Sequence, residues 1–382
     1  MGYFTILSPS FVNVFFTLVI LVITLFAYLL DLKRSANFIL IFFLILWLTI
    51  PLLNIPYAKA TFFRHNLFLP AILTLYYGRG NTNSSFWGNL ATGLAGLVSA
   101  VFPNKIEFLQ KVGSRKARPC PSGVDCEIIW LQNFNIEVYS LKDTPKTSLN
   151  YGIHGASHIT PLTNLYRRLC QENAKVYPNT VIAAVDPRSS LDHPYPTTLD
   201  DVVAGYRHML SLGFAPERTV IFGDCTGGNL ALALCHRLKA AGEPLPGGLV
   251  LLSPQTDLTL SGESYVSRYH LDPILGNLTD REDVKKQNTI NYAKGEDKTN
   301  PFISPLFGDF TGFPPTLIQV GEYEILYDDS VQLFKKMKNA GVPVIFTQYP
   351  GMVHDFQLMF AKWVPEVKYA REEIDTFLRK IL

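Results

Sequence analysis

Residues 220–229 read V-I-F-G-D-C-T-G-G-N, a run that leaves the chain few options. A β-branched and aromatic segment enters it, and the good helix former A-L-A-L-C-H-R-L-K leaves it. Between them stand only small residues, Gly223-Asp224-Cys225-Thr226-Gly227-Gly228. A strand that turns at once into a helix through G-x-nucleophile-x-G is a nucleophile elbow. The central residue sits on a strained turn, so bulk two positions to either side would clash. The nucleophile position, where the motif carries Ser, holds Cys225.

The segments around the elbow alternate in period. Strand-like runs cover 127–131, 135–141, 148–153, 180–185, 218–222, 248–252, 316–320 and 344–349. Helical patterns cover 161–173, 198–212, 227–241, 329–340 and 365–382. Pro161 suits a first helical turn, and Asp200 and Asp201 complement the dipole of the second helix. Such alternation predicts a mostly parallel sheet covered by helices on both faces. Residues 255–311 break the rhythm, as a lid insertion would. These features set a domain over 119–382, preceded by a helical lid or linker over 59–118.

The N-terminal 58 residues differ in kind. No charged residue occurs among positions 1–30, and none from 35 to 58, although the whole chain is 17% charged. Residues 11–30 are long and apolar enough to cross a hydrocarbon core about 30 Å thick. Residues 38–55 form a second apolar stretch, interrupted by Pro51. This predicts a membrane anchor of one or two segments, with the lipid bilayer as a partner. Lys33 and Arg34 in the short link favour a cytoplasmic turn. Everything after residue 55 then faces the other side, which in a eukaryotic cell is the lumen of the endoplasmic reticulum. The sequons at Asn83 and Asn277 agree with that side. Cys120 and Cys126 are close enough in sequence to pair in an oxidising compartment, whereas Cys170 and Cys235 read as apolar helix residues. The net charge of +2 argues for neither nucleic acid nor an acidic partner.

Acyl-transfer chemistry needs a nucleophile, a base, an acid to orient the base, and donors for an oxyanion. With an elbow, these arrive in the order nucleophile, acid, histidine. Cys225 is the first. His354, in Y-P-G-M-V-H-D-F, follows a strand and lies in a glycine-bearing loop before the last helix, where the base belongs. The acid should follow the preceding strand, which offers Glu322, Glu324, Asp328 and Asp329. Glu324 is favoured and Glu322 is the runner-up, while Asp328 and Asp329 read as the start of a helix. The oxyanion donors expected are the N–H of Thr226 and those of the loop His154-Gly155-Ala156-Ser157. A helix N-terminus and a neighbouring histidine are expected to lower the Cys225 thiol pKa. No cluster has metal-ligand spacing, and neither G-x-G-x-x-G nor G-K-[ST] appears, so neither a metal nor a cofactor is implied.

From residue 116 to the end the chain resembles the hormone-sensitive-lipase branch of the α/β-hydrolases. Beyond the elbow, the matching motifs are H-P-Y-P-T-T-L-D-D (193–201), L-L-S-P-Q-T-D-L (251–258), S-P-L (304–306), G-E-Y-E-I-L-Y-D-D (321–329) and G-M-V-H-D-F (351–356). With the membrane segment, the whole looks most like the fungal steryl acetyl hydrolases. The resemblance implies a lid, an ester substrate with a short acyl group, and Glu324 as the acid. Two positions depart from it: Cys225 for Ser, and Ala156-Ser157 in the loop that the family fills with glycine. Three functions follow. One is an esterase of lipophilic acetates such as sterol acetates, using a Cys-His-Glu triad. The second is a thioesterase, and the third a pseudo-hydrolase that binds a sterol-like ligand or partner without turnover.

Overall fold

The computed structural model describes residues 117–382 apart from 156, 270, 277–291, 361 and 363, together with 83–85, 88, 91, 92 and 95. The chain divides into two units, Met1–Ala100 and Val101–Leu382. The expected membrane segments at 11–30 and 38–55, and most of the expected linker at 59–118, lie outside the described residues. Among the described residues no helix is long and apolar enough to cross a membrane.

In the second unit eight strands form one sheet: β1 (Val124–Trp130), β2 (Asn135–Leu141), β3 (Ser148–Ile153), β4 (Thr180–Asp186), β5 (Thr219–Asp224), β6 (Gly248–Leu252), β7 (Thr316–Gly321) and β8 (Val344–Tyr349). Their order is β1-β2-β4-β3-β5-β6-β7-β8. The first two junctions are antiparallel and all later ones parallel. The central strands are apolar without alternation: β6 is buried at all five residues and β7 at all six. That is the pattern of parallel strands covered on both faces.

The crossover helices are α1 (Asn164–Val176), α2 (Thr197–Ser211), α3 (Cys225–Ala240) and α5 (Tyr327–Asn339), with short α4 (Ser264–Ser267) and α6 (Phe356–Met359) and the closing helix α7 (Pro365–Leu378) after β8. Helices α2, α3 and α5 share one apolar cluster with the sheet, through Val203, Leu232 and Leu333 against Tyr151, Ile221 and Leu251. On the opposite face α7 packs Ile374 and Phe377 with Val220, Val250 and Leu317. There α1 packs Cys170 and Ala174 with Tyr139 and Ile182. A buried fork joins α1 to β2, with Arg167 Nε and Nη2 donating to Glu137 at 2.6–3.0 Å.

Chain order reverses at β3: β4 lies on one side of it and β5 on the other. The connections therefore leave the carboxyl ends of β3 and β5 in opposite directions and open a crevice between them, the general ligand position in such sheets. His154 follows β3, Cys225 follows β5, Ser253 follows β6, and Glu324 and His354 follow β7 and β8. One edge of the sheet thus collects the candidate chemistry.

Part of the expected lid belongs to the core instead. Tyr292, Ile303, Leu306 and Phe310 are buried in the same cluster as α3. Asn229 Nδ2 of α3 donates to the Ile303 carbonyl at 2.9 Å. Among the described residues of the insertion, Leu260, Tyr265 and Leu275 in its first part cluster with Cys225.

Candidate active site

Cys225 is the first residue of α3 and has φ +51, a left-handed conformation that costs a non-glycine residue about 1–3 kcal/mol. The turn is possible because α3 crosses directly against β3. A Cβ on Gly227 would stand 2.0 Å from the Ile153 carbonyl oxygen. Gly223 lies within β5 and Gly228 within the first turn of α3, next to Pro254. The carbonyl of Cys225 accepts from Gln255 N–H at 3.0 Å, tying the elbow to the loop after β6.

His354 Nδ1–H donates to Glu324 Oε2 at 3.0 Å. The other oxygen of Glu324 accepts from the Ser253 hydroxyl at 2.7 Å and from Gly321 N–H. Both the carboxylate and the imidazole are buried. Glu322 turns elsewhere and accepts from Gly351 N–H at 3.0 Å, so it braces the loop that carries His354. The pair Asp328-Asp329 does more than open a helix. Asp329 is buried and receives the N–H groups of Thr256 and Asp257 at 2.6 and 2.9 Å, and Asp328 receives that of Ser264 at 2.8 Å.

The second nitrogen of His354 meets an unexpected partner. Nε2 lies 3.0 Å from Asp355 Oδ2 as an ion pair, and the Cys225 sulfur lies within 4.8 Å of both atoms. Asp355 reaches back because it too is left-handed, with φ +51. Ser253, with φ +46, links the two acids, since its hydroxyl also accepts from Asp355 N–H at 3.4 Å. Sequence reasoning gave neither Ser253 nor Asp355 a role, although both sit inside quoted motifs. A serine-proline pair ending a buried strand was the available signal for the first. Nothing local in the sequence announces the second.

Charge in the site differs from expectation. Burial raises the Cys225 thiol, and the facing His354 offsets this only in part, while Asp355 and Asp224 add to it. The expected lowering by the helix end and the histidine is therefore reversed, because the thiol is only 6% exposed. Burial works against a charged His354, but Asp355 and Cys225 outweigh it and hold the imidazole proton well above the ordinary range. Burial, reinforced by the charge of Asp355, pushes Asp224 up to about 7.

The oxyanion side is partly committed. Gly155 N–H donates to Asp224 Oδ2 at 3.2 Å and to the Tyr166 hydroxyl at 3.3 Å, so it braces the elbow. Ala156 lies outside the described residues. Thr226 is buried in the first turn of α3, where backbone N–H groups lack intrahelical acceptors. Beside Cys225, Leu260, Tyr265, Leu275, Ile325 and Leu326 line a cavity of about 10 Å³, the room of about one water.

Elsewhere, Cys120 and Cys126 are joined by a disulfide, and Cys170 and Cys235 are free and buried on α1 and α3. Asn83 is exposed, and Asn277 lies outside the described residues. The sequence carries no metal-ligand spacing. Folding nevertheless brings Cys225, His354 and Asp355 to distances a single ion could bridge.

Residues 151–358 match the protein family described as alpha/beta hydrolase fold. The sequence is 40% identical over 231 residues to an esterase of Acinetobacter venetianus, covering 60% of this chain and 74% of that protein. It is 34% identical over 227 residues to an acetyl-hydrolase of Streptomyces hygroscopicus, covering 59% and 74%. Among solved structures, an esterase from the bacterial hormone-sensitive lipase family superposes with a TM-score of 0.68 at 29% identity, over 78% of this chain and 98% of that one.

Proposed function

The chain belongs to the α/β-hydrolase family, in its hormone-sensitive-lipase-like branch, and from that premise we propose that it hydrolyses lipophilic carboxylic esters with a short acyl group. The observation that carries the reading is the relay from Glu324 through His354 to the strained Cys225. Once His354 has released its Nε2 proton to solvent, the Cys225 sulfur attacks the ester carbonyl carbon and the thiol proton passes to that nitrogen. Thr226 N–H faces the charge that develops on the carbonyl oxygen. The C–O bond breaks, the alcohol leaves with the proton from His354, and an acyl thioester remains on Cys225. Water then attacks the thioester, giving its proton to His354. The carboxylic acid departs as the C–S bond breaks and the proton returns to sulfur.

The cavity of about 10 Å³ beside Cys225 supports acetyl as the acyl group, in keeping with the acetyl-hydrolase relative. Sterol acetates are the substrate favoured by the motif resemblance. Residues 11–30 and 38–55 support a membrane anchor. The disulfide and the exposed sequon at Asn83 support a lumenal catalytic domain in the endoplasmic reticulum. Loss of an electrophoretic shift on glycosidase treatment would mark that side; a protein whose mobility never responds is placed elsewhere.

A second reading, ligand binding without turnover, draws on the bond from His354 Nε2 to Asp355. An imidazole already protonated on both nitrogens cannot accept the thiol proton. Acetate release from an aryl or sterol acetate, abolished by Cys225→Ala, decides for hydrolysis. Binding of a sterol ester without acetate release decides for the second reading.

A further inference from the structure

We propose that Cys225, His354 and Asp355 form a binding site for a thiophilic divalent cation of the zinc class, which masks the nucleophile reversibly. Each residue offers one ligand atom, and the sulfur, imidazole nitrogen and carboxylate oxygen all lie within 4.8 Å of one another. A tetrahedral zinc-type ion with bonds of about 2.0–2.3 Å sets its ligand atoms about 3.4–3.6 Å apart. Nε2 and Oδ2 now stand 3.0 Å apart, so an ion enters between them by spreading the pair a few tenths of an ångström.

Two further features are those of a built site. Asp355 is only 8% exposed, yet its Oδ1 has no hydrogen-bond partner. A buried carboxylate oxygen without a donor is costly to leave so, and an ion held at Oδ2 offsets the charge that the two oxygens share. Glu324 holds Nδ1–H of His354, which directs the Nε2 lone pair at the ion once the Nε2 proton has left. Metal-binding histidines almost always donate their other ring N–H to a carboxylate, a backbone carbonyl or water. Ser253 fixes Glu324 and touches the Asp355 backbone, so the outer shell is in place before any ion arrives.

Cysteine makes the difference. A serine hydroxyl at position 225 would be a weak neutral ligand, whereas a thiolate is soft and charged. Binding expels the thiol proton and the Nε2 proton to solvent, and the thiolate and carboxylate neutralise the two charges of the ion. The departure at the nucleophile position thus couples the site to metal availability. This concerns the same residues as the proposed reaction, but it is read by binding and does not depend on turnover.

The test is titration of the full-length, metal-free protein in detergent with Co²⁺, followed by near-ultraviolet absorption. A sulfur-to-cobalt charge-transfer band that saturates at one equivalent and is displaced by Zn²⁺ is expected. Cys225→Ser should lose the band although Cys170 and Cys235 remain, and Asp355→Asn should weaken binding at least tenfold. No band, a band that persists in Cys225→Ser, or affinity unchanged in Asp355→Asn overturns the site. Matching near-ultraviolet circular dichroism of the three proteins shows that the variants are folded. Ester turnover is measured in parallel without metal. Metal binding without turnover sinks the hydrolase reading alone, and turnover without metal binding sinks the metal site alone.

Discussion

His354 Nδ1 lies 3.0 Å from Glu324 Oε2, across 30 residues of chain, and both groups are buried. The bond fixes the ring and leaves Nε2 on the side of Cys225. Replacing Glu324 with Gln removes the acceptor charge that orients the base. A fall in kcat/KM on an aryl acetate of about 10²–10⁴-fold is expected, carried by kcat. Glu322→Gln, at a carboxylate that braces Gly351 N–H rather than His354, should cost under about tenfold. Equal losses in the two variants would show that the acid is misassigned.

Gly155 is expected to tolerate no side chain. A Cβ there would lie 2.5 Å from Asp224 Oδ2 and 2.9 Å from the Cys225 Cβ. Gly155→Ala should therefore lose the bond to Asp224 and displace the elbow. Overpacking of this kind costs about 1–3 kcal/mol, and a shift of about 1 Å in the nucleophile costs on the order of 100-fold in rate. Chemical denaturation and steady-state assays on the same preparation measure both.

The wall beside Cys225 should set acyl length. Acetate esters are expected to be hydrolysed faster than butyrates, since added methylenes must displace Leu260, Leu275 or Tyr265. Leu275 is only partly buried, so Leu275→Ala enlarges the cavity with little cost to folding. The ratio of kcat/KM for butyrate over acetate should rise about tenfold or more, the scale of one or two methylenes in an apolar pocket. An unchanged ratio would place the acyl group elsewhere.

Stability should fall in mild acid for reasons remote from the site. Burial pushes His236 down to about 4, with its ring against Phe310 and Phe313 and Nε2–H donating to the Pro305 carbonyl at 3.2 Å. A histidine whose folded pKa is depressed leaves stability intact above its unfolded value of about 6.5 and erodes it as pH drops towards 4. His158, pushed to about 3 by burial and stacked on Tyr292, acts in the same direction from the same upper limit and continues to about pH 3. Between pH 7 and pH 4 the His236 contribution is about 3 kcal/mol. His236→Gln keeps a donor for Pro305 and should lose that much less over the same range in urea unfolding.

Much of this was legible because the local signals and the fold agree. Strands β6 and β8 stand where their apolar runs predict, at 248–252 and 344–349. Where tertiary contacts compete, local reading slips. Helix α1 begins at Asn164 rather than Pro161, because the N–H of Leu162 is taken by Asp186 at 2.8 Å and Thr163 stays extended. Asp329 looked like a helix-end charge, but its carboxylate serves two backbone groups more than 70 positions away. The thiol charge was misjudged for a related reason. The helix end and the histidine are local and visible, whereas burial under Leu260, Tyr265 and Ile325 arises only on folding. Asp355 likewise gains its place from a left-handed backbone that no residue pattern announces.

The central claim is that Cys225 carries the acyl group. Rapid quench of the full chain with an aryl acetate, followed by peptide mass spectrometry, tests it directly. One acetyl group on the peptide containing Cys225 is predicted, forming before steady state and absent in Cys225→Ala. Acetate release with no acetyl on that peptide, or with activity intact after alkylation of Cys225, would contradict the account.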